Sequence, residues 1–330
     1  MACKDIVSSR GRGFRLDSRR PFIDKWEAAI PFAGHEQIRQ GRDLTLTPPG
    51  VVSQERLWPP QSFVKLGDHR VHYAAAGRGP ALVLVHGFAG YSFTWRRNLD
   101  ALGQRFRVYA LDLPGFGYSD RPPGYPYSIR AAADLIQQFA DAVGERQVCL
   151  VGHSWGGAAS LLCAASDPAL VRKLVLAAPV NPFDRHLVKW LAVGGTPVLA
   201  DVALHGARLA IRSLAAWLLR HVIYGDPRRV TDETIEGYVG PLRHPTTVTV
   251  FRRTFAAWDL ESINAALPNV SQPVMLLWGD RDRVVRPESS GPLAAALRAE
   301  LRIVANCGHL LPEEAPEIFD HLLLEFLLRD

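Results

Sequence analysis

Short runs of apolar, often β-branched residues recur along the chain and alternate with longer segments of helical periodicity. The runs are continuous rather than alternating in polarity, which is typical of strands covered on both faces. Strands that alternate with helices predict a mostly parallel sheet flanked by helices. One such helix is expected over residues 128–143, with Ser128 as its cap. Eight strands are expected, at residues 63–66, 69–75, 81–85, 107–111, 148–152, 173–178, 273–278 and 301–304.

The same pattern divides the chain into three parts. Residues 61–180 and 268–330 carry the strands and are expected to form one α/β core. Residues 181–267 lack strand-like alternation and are expected to form a helical cap or lid, inserted after the strand that follows the Ser154 helix. Residues 1–60 are interpreted as an N-terminal extension that ends in a Pro-rich linker.

The fifth predicted strand ends in the run Gly152-His153-Ser154-Trp155-Gly156-Gly157, and an Ala/Leu-rich helix follows. A Gly-x-Ser-x-Gly pattern between a strand and a helix is typical of a nucleophile elbow. In that geometry the Ser154 hydroxyl is lifted off the backbone on a strained turn, and the flanking glycines avoid collisions. The first N–H groups of the helix suit an oxyanion at the same place.

Two further loops are expected at the same edge of the sheet, because they also follow central strands. The loop after the third strand, His86-Gly87-Phe88, can offer the Phe88 N–H as an oxyanion donor beside that of Trp155. His86 itself is expected to brace this loop. Asp112 and Asp120 are expected to brace the loop after the fourth strand as hydrogen-bond acceptors.

These ordered motifs resemble the α/β-hydrolase superfamily. Its compact capped branch includes esterases, C–C bond hydrolases, haloperoxidase-like enzymes, epoxide hydrolases and haloalkane dehalogenases. The resemblance covers roughly residues 61–180 and 268–328. It implies an α/β-hydrolase fold with an eight-stranded, mostly parallel sheet, and a helical cap that shapes an apolar pocket.

The resemblance also implies the remaining catalytic residues. In the family pattern the acid lies three residues after Gly279, at Asp282, so that Asp280 is left to hold the turn. His309 matches the catalytic His. The chain order Ser154, Asp282, His309 is the order that this fold uses.

This set of residues predicts nucleophilic catalysis without a metal or organic cofactor. A Ser hydroxyl is too weakly acidic to attack at pH 7, so His309 must take its proton while Asp282 fixes the imidazole. Water would then release the acyl group. We therefore expect a serine hydrolase that cleaves a small-molecule carboxylic ester.

Several alternatives share these motifs. A C–C bond hydrolase acting on a vinylogous diketone has the same triad, and haloperoxidase-type, amidase and thioesterase activities stay open. Epoxide hydrolases and haloalkane dehalogenases would require Asp in place of Ser154. A non-catalytic ligand-binding member of the fold could also keep the triad, whereas no Gly-x-Gly-x-x-Gly or P-loop supports a nucleotide-binding protein.

The pocket is predicted less directly. The insertion is rich in large apolar groups, and Arg212, Arg243, His221 and His244 are candidates to meet a substrate carboxylate, although the sequence does not orient them. The candidate pocket residues are His86, Trp190, Trp217, Tyr238 and Leu310.

Composition narrows the function further. The net charge is +5, but residues 1–42 alone hold nine Lys/Arg and five Asp/Glu, so the rest is almost neutral and no nucleic-acid module is visible. No apolar run approaches the roughly 20 residues of a membrane span. Arg19-Arg20 resembles a twin-arginine signal but lacks the apolar stretch that must follow.

The four cysteines have no metal-type spacing and favour a reducing compartment. A cytoplasmic location is therefore expected. The sequence does not indicate the oligomeric state.

Overall fold

A computed structural model describes residues 6–8, 62–184, 186 and 211–329. Nine strands in these ranges form one sheet. The strands are β1 (Ile6–Ser8), β2 (Ser62–Leu66), β3 (His69–Ala76), β4 (Ala81–Val85), β5 (Arg107–Leu111), β6 (Val148–His153), β7 (Val171–Ala177), β8 (Val274–Gly279) and β9 (Glu300–Val304).

The spatial order of the strands is β1-β9-β8-β7-β6-β4-β5-β3-β2. The six strands from β9 to β5 are mutually parallel, and β3, β2 and β1 pair in antiparallel fashion at the two edges. The predicted eight-stranded, mostly parallel α/β-hydrolase sheet is therefore confirmed. The ninth strand, β1, has three residues, too few to give a pattern, and its place depends on pairing with β9 far along the chain.

Ten α-helices are described in the same ranges. Ser128 caps the second as predicted, since its hydroxyl accepts a hydrogen bond from the Ala131 N–H at 3.1 Å. The helices are α1 (Leu99–Gly103), α2 (Ile129–Ala142), α3 (Ser154–Ser166), α4 (Ile211–Leu218), α5 (Asp232–Leu242), α6 (Thr247–Ala256), α7 (Leu260–Ala266), α8 (Ser290–Leu297), α9 (Leu311–Glu314) and α10 (Pro316–Leu327).

Four of these helices, α4 to α7, lie between β7 and β8 and are called the inserted helices below. A π-helical turn, Leu219–Ile223, continues α4. The inserted helices fall within the predicted cap, whereas residues 187–210 of that prediction lie outside the described residues. Apart from β1, so does the predicted extension of residues 1–60. No helix in the described part of the chain is long and apolar enough to span a bilayer.

The sheet is buried on both faces, which explains its continuous apolar runs. In β4, Val83 and Val85 pack with the cluster that contains α2 and α3, whereas Leu82 and Leu84 pack with the cluster that contains α1 and α10. Successive side chains of a strand point to opposite faces. The sheet therefore lies between two layers of helices.

A buried acid in the second layer gives a stability prediction. Asp320 of α10 accepts a hydrogen bond from Asn98 Nδ2 at 2.8 Å. Burial, together with a smaller effect of nearby Glu317, raises the pKa of Asp320 from 3.8 to about 7, although the hydrogen bond from Asn98 opposes this change. The folded protein therefore holds this proton more tightly than the unfolded chain, so the stabilisation present below pH 3.8 is lost as the pH rises through about 7.

We expect Asp320→Asn to keep the acceptor for Asn98 and to remove the buried charge. At pH 8 the variant should be more stable than the parent protein by on the order of 2–4 kcal/mol, and at pH 4 nearly equal to it. Urea unfolding at both pH values measures this difference. Glu317→Gln, an exposed change on the same helix, serves as the control with a small effect. Equal stability at pH 8 would contradict the prediction.

Candidate active site

Ser154 lies at the turn between β6 and α3, in a backbone conformation that few side chains adopt. Its φ angle is +53°, in the left-handed region. The flanking glycines are required by close packing: a Cβ atom on Gly152 would lie 2.6 Å from the Gly156 carbonyl oxygen, and one on Gly156 would lie 2.8 Å from the Val85 carbonyl oxygen. The local chain thus has the strained strand-turn-helix geometry of a nucleophile elbow.

His309 and Asp282 form a buried pair on the loops that follow β9 and β8. His309 Nδ1 lies 2.7 Å from Asp282 Oδ2. The other carboxylate oxygen of Asp282 accepts hydrogen bonds from the N–H groups of Val284 at 2.8 Å and Val285 at 3.0 Å. These two bonds hold the carboxylate so that Oδ2 faces His309 Nδ1 as an acceptor. Nδ1 of His309 is therefore the donor, which leaves Nε2 as the basic nitrogen.

The neighbouring Asp280 holds the turn instead. Its Oδ1 accepts a hydrogen bond from the Cys307 N–H at 3.3 Å, and its side chain is exposed. Asp280 therefore ties the loop after β8 to the loop that carries His309, as the sequence predicted, and Asp282 alone of the two acids reaches the imidazole.

His153, next to Ser154, is hydrogen-bonded to the His309 loop and favours its own neutral form. Its Nε2 donates to the His309 carbonyl oxygen at 2.8 Å, and the two rings lie 4.7 Å apart between centroids. Burial lowers the pKa of His153 well below its usual value, and the adjacent His309 lowers it further. His153 is therefore neutral at physiological pH, so a positive charge that develops on His309 meets no second cation here.

The loop after β4 lies directly against the elbow. Val85 of β4 pairs in register with Gly152 of β6, so the residues that follow them leave the sheet side by side. A Cβ atom on Gly87 would lie 2.9 Å from the Ser154 Cβ. The backbone of this loop thus lies beside Ser154, and the Trp155 N–H belongs to the first turn of α3, where N–H groups have no acceptor within the helix.

The residues expected to brace these loops do so. His86 is completely buried; its Nε2 accepts from the Leu113 N–H at 3.0 Å, and Nδ1 donates to the Gly87 carbonyl oxygen at 2.7 Å. Asp112 accepts from the Ser92 N–H at 2.7 Å, among other partners. These bonds join the loop after β4 to the loop after β5.

The inserted helices also contribute to the position of His309. Its N–H donates to the Ile223 carbonyl oxygen at 2.7 Å. The Glu314 carboxylate accepts from the Gly308 N–H at 2.9 Å and from the Gly225 N–H at 2.8 Å, and burial raises the pKa of this acid to about 7. The chain segment at residues 223–225 is thus hydrogen-bonded to the histidine loop. The sequence analysis did not identify Glu314, because its neighbours in the chain do not distinguish it from an acidic residue on the protein surface.

A cavity of about 580 Å³ opens beside the elbow, and both Ser154 and His309 line it. This volume lies within the range of about 300–1,000 Å³ that is typical of small-molecule sites. Its walls are mainly apolar and come from the inserted helices as well as from the core. Examples are Leu214, Leu218, Phe251, Phe255, Trp258 and Val285.

The predicted pocket residues are placed differently. Tyr238 is not among the described residues that line this cavity, and its hydroxyl contacts Glu313 and Thr94. His86 is enclosed by its loop, and Leu310 is buried in the cluster around Tyr238. Trp217 is 54% exposed and packs against His221. Trp190 lies outside the described residues. Among the two oxyanion candidates, Phe88 lines the cavity.

The aromatic wall that sequence reasoning did not single out is formed by α6. Phe251 and Phe255 each lie 4.5 Å from the Phe88 ring between centroids. Their spacing of four residues places them on one face of a helix, a signal that was available in the sequence. What the spacing could not indicate is which neighbour that face meets.

Within the described ranges, no three His, Cys, Asp or Glu side chains are grouped in a way that could hold a metal ion. The described site combines a strained serine, a histidine fixed by a carboxylate, and a helix N-terminus at the same edge of the sheet.

Comparison with known proteins agrees with this geometry. A family model described as alpha/beta hydrolase fold matches residues 80–316. The chain is similar to the uncharacterized hydrolase YugF of Bacillus subtilis (strain 168), with 30% identity over 257 residues, 78% of this chain and 92% of that protein. It is also similar to epoxide hydrolase 4 of Mus musculus, with 27% identity over 316 residues, 87% of this chain and 84% of that one.

Among solved structures, the chain resembles 2-hydroxy-6-oxo-6-phenylhexa-2,4-dienoate hydrolase from Rhodococcus sp. strain RHA1. The TM-score is 0.66 at 25% identity, and the match covers 82% of this chain and 100% of that one.

Proposed function

The chain belongs to the α/β-hydrolase family, and from that premise we propose that it is a serine hydrolase that cleaves carboxylic esters of small to medium apolar substrates. The observation that carries the proposal is that Ser154 and His309 line one cavity while His309 is hydrogen-bonded to the buried Asp282. The reacting groups, an orienting acid and a substrate-sized space thus lie together.

In the proposed mechanism, Ser154 Oγ attacks the ester carbonyl while His309 Nε2 takes its proton. Asp282 keeps the Nδ1 proton in place and stabilises the imidazolium. The N–H groups of Phe88 and Trp155 hold the tetrahedral oxyanion, a contribution typically worth ~3–4 kcal/mol per donor. His309 then returns the proton to the leaving alcohol and activates a water, which hydrolyses the acyl-enzyme.

The identity of the nucleophile favours acyl chemistry over the activity named for the mouse relative. Opening an epoxide through an alkyl-enzyme ester requires a carboxylate nucleophile, and residue 154 is a serine. A serine alkoxide formed by a neutral histidine is instead suited to a carbonyl carbon.

The apolar walls support an apolar acyl or alcohol group in the substrate. Transfer of such a group from water contributes about 25 cal/mol per Å² of apolar surface. We propose that the inserted helices act as a cap, because they supply Leu214, Leu218, Phe251 and Phe255 to the cavity that contains Ser154.

C–C bond hydrolysis is the second candidate. It is favoured by the likeness to the Rhodococcus dienoate hydrolase, and it would use the same triad on a carbonyl group. A ligand-binding protein without catalytic turnover could have the same cavity. Kinetic assays distinguish it from the two enzymes, because it would hydrolyse neither an ester nor a vinylogous diketone.

A cytoplasmic location is also proposed. It is supported by the buried thiols of Cys149 and Cys163, which form no disulfide with the described residues and are compatible with a reducing compartment.

The proposal is tested with 4-nitrophenyl esters from acetate to palmitate, followed by release of 4-nitrophenol. We expect turnover that depends on Ser154 and passes through an optimum at intermediate chain length, because the cavity holds a limited apolar group. Rates that do not change with chain length would contradict the pocket assignment. Cleavage of a vinylogous diketone in the absence of ester turnover would favour the second candidate.

A further inference from the structure

Four consecutive residues after the catalytic acid form one wall of the cavity: Arg283, Val284, Val285 and Arg286. The two valines continue the apolar surface, but the two arginines do not. Both arginine residues are exposed while they line the cavity, so they lie at its rim, where the space meets solvent. The same loop therefore carries the acid that orients His309 and two guanidinium groups.

This loop is held firmly. Asp282 Oδ1 accepts from the Val284 and Val285 N–H groups, and the Val285 carbonyl oxygen accepts from Trp278 Nε1 at 2.9 Å. The Arg286 N–H donates to Asp184 Oδ2 at 2.9 Å. Because the backbone is fixed at several points, the two arginine side chains start from a defined position relative to the catalytic histidine.

Neither guanidinium is neutralised within the described part of the chain. Arg283 Nη1 donates to the His221 carbonyl oxygen at 2.9 Å, and this neutral acceptor uses one of the five N–H donors of the group. Arg286 forms no ion pair with the described residues, and none of the described residues that line the cavity is an acid. Among the described residues that line the cavity, the rim thus has two arginines and no acidic side chain.

The other cations that the sequence offered are used elsewhere. Arg212 pairs with Asp232 at 2.9 Å and Glu236 at 2.6 Å, and Arg243 lies 4.0 Å from Glu236. His244 lines the cavity, but burial and then the charge of Arg121 lower its pKa. Both effects favour the neutral imidazole. Arg283 and Arg286 are therefore the arginines that line the cavity among the described residues.

Guanidinium groups bind carboxylates and phosphates through paired N–H donors, and an apolar neighbourhood strengthens the contact. We propose that Arg283 and Arg286 form an anion-recognition site, so that the preferred substrate is an ester that carries a terminal carboxylate or similar anion beyond an apolar segment. This inference rests on the proposed ester hydrolysis. It adds that the apolar segment fills the cavity while the anion remains at the rim.

The test uses two 4-nitrophenyl esters that differ only in charge at the far end: the 4-nitrophenyl monoester of suberic acid and its terminal primary amide. Adipate and sebacate homologues vary the length. We expect kcat/KM of the parent protein to be about fivefold to tenfold higher for the acid than for the amide, because a charged hydrogen bond is partly lost with the amide. The preference should decrease at high salt, since the rim is exposed.

Arg283→Gln and Arg286→Gln should each reduce the preference, mainly through KM, and in the double variant the ratio of kcat/KM for the acid to that for the amide should fall to about one. Arg281→Gln is the matched control: it removes the same charge from the same loop, but Arg281 contacts Asn306 and does not line the cavity. Its preference should equal that of the parent protein. A parent protein that prefers the amide, or a double variant that keeps the preference, would overturn the proposal.

A binding measurement separates this inference from the proposed function. In Ser154→Ala, calorimetry with suberic acid monoamide should show binding about fivefold to tenfold weaker after both arginines are replaced. If the parent protein hydrolyses neither ester but this difference is found, the ester function is wrong and the anion site stands. If both esters are hydrolysed equally and binding does not depend on the arginines, the anion site is wrong and the ester function stands.

Discussion

Replacing Ser154 with Ala is expected to reduce kcat by about 10⁴-fold or more, because no other group at the elbow can form the acyl-enzyme. The α3 helix should form as before, since Ala is a good helix former and the close contacts at this turn involve Gly152 and Gly156. The measurement is a single-turnover and steady-state assay with the best ester of the chain-length series. Binding of an ester product should persist, because the cavity walls are unchanged.

Ser166→Ala is the control for this result. Ser166 is the last residue of the same helix and makes hydrogen bonds with Gln137 and the Cys163 carbonyl oxygen, away from the cavity. Its loss should leave kcat within a factor of about two. If Ser154→Ala retains a tenth of the parent rate, the serine mechanism is wrong.

The positive φ angle of Ser154 allows a second test at this position, a measurement of stability. Glycine adopts a positive φ without the steric cost of a side chain, so Ser154→Gly should be inactive yet more stable than Ser154→Ala by about 1 kcal/mol. Chemical denaturation of the two variants measures the difference. A less stable glycine variant would mean that the turn is not strained.

Asp282→Asn has the second largest expected effect, a loss of about 10⁴-fold in kcat near pH 7. The side-chain oxygen would keep the hydrogen bonds from the Val284 and Val285 N–H groups, so the new amide group would face His309 Nδ1. An amide N–H requires an acceptor there. The imidazole would then carry its proton on Nε2, where the base for Ser154 is needed.

The neighbouring acid provides the control. Asp280→Asn keeps an oxygen for the Cys307 N–H and does not touch His309, so it should change kcat by less than about fivefold. Since both variants remove one carboxylate from one turn, a difference between them reports the contact with the imidazole. Similar losses in both would reject Asp282 as the orienting acid.

Much of the core followed from local sequence. The continuous apolar runs located the eight strands to within a few residues, because a strand between two helical layers has no polar face. The Ser128 cap and the elbow around Ser154 are likewise set by residues only a few positions apart, whose conformational limits operate at any place in a fold.

The pocket was predicted poorly for the opposite reason. Trp217 and Tyr238 are large and apolar, yet one is exposed and the other faces Glu313, while Phe251 and Phe255 form the wall. Size and polarity determine that a residue tends to be buried. They do not determine against which surface, which depends on how the inserted helices pack.

By itself, then, the sequence determined the sheet and the strained serine, because each depends on short-range patterning and backbone limits. The roles of Asp282 and His309 followed from the family resemblance and stay a prediction. Tertiary structure decided the rest. It paired Ile6–Ser8 with β9, joined Glu314 to Gly225, and placed Arg283 and Arg286 at a rim where no described lining residue is an acid. Such contacts join residues that lie far apart in the chain, and their energies exist only once the fold has brought the groups together.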